Sequence, residues 1–135
     1  MSANHLELVK QVAQELDAII EKVDSLEFCP IMWEDSYALL YALKDAQDRI
    51  DALSEQLDPI YFDDSFWNDP QNKAFVEKIE ETDKCFVEFS LHFSRIYSAL
   101  EEEGSRENYE EDGEYLSAQL KKAKQYLDQI LMLKG

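Results

Sequence analysis

Turn-forming residues are scarce in this chain, with three glycines and three prolines in 135 residues. That scarcity excludes a loop-rich or collagen-like architecture and suits long helices joined by few turns. Cysteine is scarcer still. Cys29 and Cys85 form no C-x-x-C, and both are expected to be buried, reduced thiols, with a disulfide between them left open. No apolar run approaches the ~20 residues that span a bilayer. Met1 to Lys10 lacks a basic region followed by an apolar block, so no secretory signal is read there and the cytosol is the expected location. Basic residues are few, 13 against 30 acids, for a formal net charge of -17. So little Lys and Arg argues against direct binding to a phosphate backbone. The surplus of acid favours solubility or attraction to a basic partner.

Chemistry-bearing patterns are also missing. There is no G-x-S-x-G, no phosphate-binding glycine loop and no cysteine–histidine signature. Glu88 and His92 lie four apart, whereas a di-iron bundle needs Glu-x-x-His on two helices with further glutamates, and the other histidine is the distant His5. No metal, cofactor or catalytic residue is expected, and the chain reads as non-enzymatic.

What the chain does have is helical periodicity. Its 45% hydrophobic residues, 12% of the chain being aromatic, exclude a disordered acidic tail and supply one core. Phe75, Ile79, Thr82, Phe86, Phe89, Phe93, Ile96 and Leu100 alternate steps of four and three, interrupted in polarity by Thr82 alone. A strand needs a period of two, so this spacing predicts one long helix with one buried face. Leu6, Val9, Ala13, Leu16, Ile20 and Val23 repeat the pattern, as do Leu39, Leu43, Ala46, Ile50, Leu53 and Leu57. Tyr109, Gly113, Leu116, Leu120, Ala123, Leu127 and Ile130 form the last stripe, although Gly113 costs about 1 kcal/mol relative to alanine and could delay that helix. The expectation is a single all-α domain, an antiparallel up-down four-helix bundle with helices over about 5–26, 33–57, 70–103 and 106–133. Cys29-Pro30 and Asp58-Pro59 break the first two helices, and Asn68 or Asp69 caps the third ahead of Pro70. Gly104 ends the third helix and Ser105 caps the fourth.

Two segments stand out for function. The linker 58–69 alternates aromatics with acids in an expected loop. Tyr61, Phe62, Phe66 and Trp67 either fold back to plug the end of the bundle or anchor a partner chosen by Asp63 and Asp64. A calcium loop is not expected there, because the central glycine and the terminal glutamate spacing are missing. The second segment, Glu101 to Glu114, offsets eight acids with Arg106 alone. It reads as a solvated turn or, through Glu110, Glu111 and Asp112, as a surface that imitates the spaced phosphates of a nucleic acid.

Around Phe66-Trp67-Asn68-Asp69-Pro70 the chain resembles the N-terminal helical domain of bacterial class I peptide chain release factors, of the type that reads UGA. Arg49 to Leu57 before the loop, Gln71 to Ala74 after it, and the acidic turn Leu100 to Gly104 carry the likeness further. Leu120 to Ala123 and Leu131 to Gly135 resemble the family's closing helix, so the likeness spans about residues 44–135. Residues 1 to about 35 look additional and Ile60 to Asp64 looks inserted. The family's Gly-Gly-Gln is missing, since Gly104, Gly113 and Gly135 are never adjacent. The resemblance implies a ribosome-associated module without peptide-release activity.

The sequence supports three readings of function. The first is an acidic module, of inhibitor, immunity or adaptor type, that occupies a basic protein surface through Asp63, Asp64, Phe66 and Trp67 and then the acids around Glu110. The second is the ribosome-associated module. The third is a structural oligomer in which coiled-coil-like stripes such as Leu39 to Ile50 pair between copies.

Overall fold

A computed structural model of the chain describes residues 3–102 and 108–133. The helices are α1 (Ala3–Asp24), α2 (Trp33–Gln56), α3 (Asp58–Tyr61), α4 (Asp64–Trp67), α5 (Lys73–Glu101) and α6 (Glu110–Met132), with a 3₁₀ turn at Pro70–Asn72 before α5. Among the described residues there is no strand. The expected stop at Gly104, the cap at Ser105, the helix start at 106 and the acids Glu103 and Glu107 lie outside the described residues.

The four long helices close a ring in which α1 packs on α2, α2 on α5, α5 on α6 and α6 back on α1. Short connections place consecutive long helices antiparallel, as an up-down bundle requires. Each contributes the periodic face its spacing predicts. Val9, Val12, Leu16 and Ile19 meet Leu43, Ile50 and Leu53, Phe75, Ile79, Phe86 and Phe89, and Leu116, Leu120, Leu127 and Ile130 in one core. Thr82 is fully buried within it. Its hydroxyl donates to the Lys78 carbonyl at 2.8 Å, so the polar interruption of the α5 stripe carries its own acceptor.

Two connections define the ends of the bundle. At one end, residues 25–32 join α1 to α2, and Phe28 turns inward to lie against the start of α6. A Cβ on Gly113 would come within 2.4 Å of Cδ2 of the Phe28 ring. The Tyr109 N–H also donates to the Phe28 carbonyl at 2.6 Å. Gly113 therefore sits inside the first turns of α6 and does not delay the helix, because it leaves the space that Phe28 fills. Cys29, beside Phe28, is exposed, contrary to the expectation of two buried thiols; Cys85 is buried, and both are free. Phe28 and Pro30 on either side of it are buried, and the side chain between them points outward.

At the other end, 58–69 is not the expected loop. Each aspartate that opens a turn there does so as part of a short helix. Asp58-Pro59 opens α3, with proline where a missing N–H is harmless. Asp63 caps α4 by accepting from the Phe66 N–H, and Asp69 caps the 3₁₀ turn by accepting from Gln71. Pro70 thus begins a 3₁₀ turn, and the α-helical part starts at Lys73.

Candidate functional site

The linker residues singled out in the sequence have divided fates. Phe66 is buried, its ring edge-on to His5 at 4.7 Å and to Phe75 at 4.9 Å. Its carbonyl accepts from the Asn72 side chain, which is also buried. Tyr61 and Trp67 are half-buried with rings 4.8 Å apart. The Tyr61 hydroxyl reaches the Ile79 carbonyl at 3.5 Å, and burial, with Asp83, Glu80 and Asp58 nearby, pushes its ionisation well above the ordinary value. Asp63 bonds His5 Nε2 at 2.8 Å as well as capping α4. Those bonds, His5 first, hold its carboxyl below the usual carboxylate range. Phe62 and Asp64 face solvent, Phe62 at 77% exposure.

The acidic segment lies at the opposite end of the molecule, about 40 Å away along the 29 residues of α5. Glu110 and Glu111 are exposed in the first turn of α6, where carboxylates suit the helix dipole. Asp112 is half-buried and bonds His92 Nε2 at 2.7 Å. The His92 ring lies 4.4 Å from that of Tyr115, whose hydroxyl donates to Glu88 at 3.0 Å. Glu88 and His92 thus fasten α5 to α6. The structure does not bring the linker aromatics and the acids of 110–112 into one site.

It brings another group together at the same end of the bundle but on α2, which lies across the ring from α6. Ile31, Met32, Trp33, Tyr37 and Tyr41 are exposed at the start of α2, Trp33 at 53% and Tyr41 at 66%. Trp33, Tyr37 and Tyr41 recur every four residues on the side of α2 away from Leu39, Leu43 and Ile50. Their rings form a ladder, Trp33 edge-on to Tyr37 at 5.1 Å and Tyr37 stacked on Tyr41 at 6.5 Å. Exposed acids flank the start of α2, namely Glu27 on the connector and Glu34 and Asp35 in the first turn; Glu27 and Asp35 line a cleft with Ala38 and Leu39 on another side of the helix from the ladder. Asp35 also accepts from the Met32 N–H and so fixes the helix start. The end of α5 and the start of α6 add Glu101, Glu102, Glu110 and Glu111 to the same end of the bundle.

The signal for this surface was present in the sequence. Trp33, Tyr37 and Tyr41 run there at a strict step of four, offset from the leucine stripe of α2. An aromatic series that never joins the core stripe has no interior to enter. Among the described residues no group of three or more His, Cys, Asp and Glu side chains is arranged to hold a metal ion. Comparison of the chain with family models, with curated proteins and with solved structures finds no match. The likeness to release factors drawn over about residues 44–135 therefore rests on the sequence segments that carry it and on nothing else.

Proposed function

We propose that the chain is a non-enzymatic acidic binding protein, of inhibitor, immunity or adaptor type, that occupies a basic surface of a partner protein. The observation that carries this reading is the exposed ladder of Trp33, Tyr37 and Tyr41 at the start of α2, at the end of the bundle that also holds the exposed acids Glu34, Glu101, Glu110 and Glu111. Trp and Tyr are enriched among the few residues that carry most of the binding energy at protein interfaces, because each buries a large rigid surface at small entropic cost. The acids of this end of the bundle, within a net charge of -17, select a basic partner and speed its approach. The anchor residues thus move from the linker, where Phe66 and Trp67 close the core, to the start of α2.

Affinity capture from cell extract at stepped salt tests this. The intact chain is compared with a Trp33→Ala/Tyr41→Ala variant and with a Phe62→Ala/Asp64→Asn variant. A net-basic protein retained at low salt, released as salt rises and lost with the first variant is the expected result. Retention insensitive to salt would sink the electrostatic mechanism. Loss with the second variant alone would return the site to the linker. Recovery of ribosomal particles with all three proteins would favour the ribosome-associated module instead.

A further inference from the structure

The ladder is one half of a longer feature. Positions 33, 37, 41, 44, 48, 51 and 55 step by four and three along the outer face of α2, opposite its buried stripe. They form a ridge of about 33 Å at 1.5 Å per residue. Its first half is aromatic, Trp33, Tyr37 and Tyr41, with Ile31 and Met32 at its tip. Its second half is Asp48, Asp51 and Glu55, all exposed, separated from the first by Lys44.

We infer that this ridge is a two-part docking strip for a basic amphipathic helix of a partner protein. The helix sets apolar side chains over Ile31, Trp33, Tyr37 and Tyr41, and its lysines or arginines over Asp48, Asp51 and Glu55. The inference rests on the binding-protein reading above and names the partner's chemistry. Shape favours a helix: the ridge is straight along α2, and a second α-helix laid along it can pack its own rows of side chains against it. Same-face residues of a strand repeat at about 6.7 Å, against about 6 Å for a four-residue helical step, and drift out of register along the ridge. Charge favours a basic occupant over a second copy, which would bring two chains of net charge -17 together. It also disfavours a nucleic acid, whose phosphates the acidic half repels.

The test uses two fluorescent synthetic peptides of identical composition and the full-length chain. One peptide places leucines on half of a helical face and arginines on the other half; the second scrambles the order so that no such face forms. Anisotropy at about 0.15 M salt is expected to show the first binding at least about tenfold tighter. Trp33→Ala/Tyr41→Ala removes that advantage and keeps the salt dependence. Asp48→Asn/Asp51→Asn/Glu55→Gln flattens the salt dependence. All these side chains are exposed, and circular dichroism checks that each variant keeps its helices. Equal affinity for the two peptides would overturn the docking strip while leaving the acidic binding protein standing. Failure of both peptides to bind even at low salt would overturn both. Sedimentation is run alongside, and a dimer of the intact chain that Trp33→Ala/Tyr41→Ala dissociates would make a second copy the occupant.

Discussion

The linker 58–69 and the start of α2 are built from the same materials, aromatic rings interleaved with carboxylates, and they face opposite ways. In the linker Phe66 is buried and Tyr61 and Trp67 are half-buried, whereas Trp33, Tyr37 and Tyr41 stand in solvent. Composition does not separate the two segments. Position does: the linker crosses an open end of the bundle, where uncovered core draws its rings inward. The ladder sits on a helix whose opposite face has already filled the interior. The acids divide in the same way, since Asp63 and Asp69 are caps that hold one-turn helices, while Glu34, Asp48 and Asp51 are exposed.

The most forceful way to break this comparison is to truncate an aromatic in each region. Phe66→Ala removes a ring packed between His5 and Phe75 and is expected to destabilise the fold by about 3–5 kcal/mol in urea unfolding monitored by circular dichroism. A loss below about 1 kcal/mol would mean that the linker does not close the core, and the contrast would vanish.

Gly113→Ala probes the other end of the bundle. Helix propensity alone predicts a gain of about 1 kcal/mol. The added methyl, however, would lie 2.4 Å from the Phe28 ring, whose carbonyl is held by the Tyr109 N–H. Overpacking of this kind costs about 1–3 kcal/mol, so the net change is expected to be destabilising by about 0–2 kcal/mol. Stabilisation in the same unfolding assay would show that Phe28 can move aside, and that the connector leading into α2 is not a fixed platform.

Much of this architecture was legible in the sequence, because steps of three and four specify buried helical faces without knowledge of what they pack against. Phe75 to Leu100 became the central face of α5, and Leu39, Leu43 and Ile50 that of α2. The linker's short helices were not legible. One-turn helices have no periodicity, and although Asp69 read as a cap ahead of Pro70, Asp63 read as a loop residue until the Phe66 amide it caps is seen. Gly113 was read through backbone entropy, yet what it accommodates is a ring 85 positions earlier in the chain. The ladder was missed for a different reason. Tyr37 and Tyr41 beside Leu39 and Leu40 look like a widened core stripe, and only the closed ring of four helices leaves them outside.

A smaller effect separates the linker's acids from those around the ladder. Asp63 is held below its ordinary value of 3.8 by its bonds to His5 and the Phe66 N–H. Because the folded state lowers its proton affinity, this contribution to stability is complete above about pH 4 and is lost as pH falls through the depressed folded value. Asp63→Asn is therefore expected to lower stability at pH 7, with the gap from the parent protein narrowing as the pH falls below 4. Thermal unfolding across pH 2–7 reads this directly, and a gap independent of pH would mean that the cap works without its charge.

The smallest expected effect carries the most weight for function. Trp33→Ala and Tyr41→Ala remove large rings, but these are 53% and 66% exposed. What the fold loses is the edge contact of Trp33 with Tyr37 and the stacking of Tyr41 on it, each worth about 0.5–1.5 kcal/mol at most. Alanine's higher helix propensity returns about half a kcal/mol at position 41. Each substitution should therefore shift stability by less than about 1 kcal/mol, near the range of ordinary surface changes. A cost approaching that of Phe66→Ala would mean that the ladder is a flank of the core, and the proposed binding surface would fall with it. A negligible cost would leave the rings without a structural task, since the surface they do cover would then hold little of the fold. Leaving such rings in water is unfavourable by roughly 25 cal/mol for each Å² of apolar surface a partner could cover. That is the free energy a docked helix would recover, and the core already filled behind Leu39 and Leu43 cannot supply it.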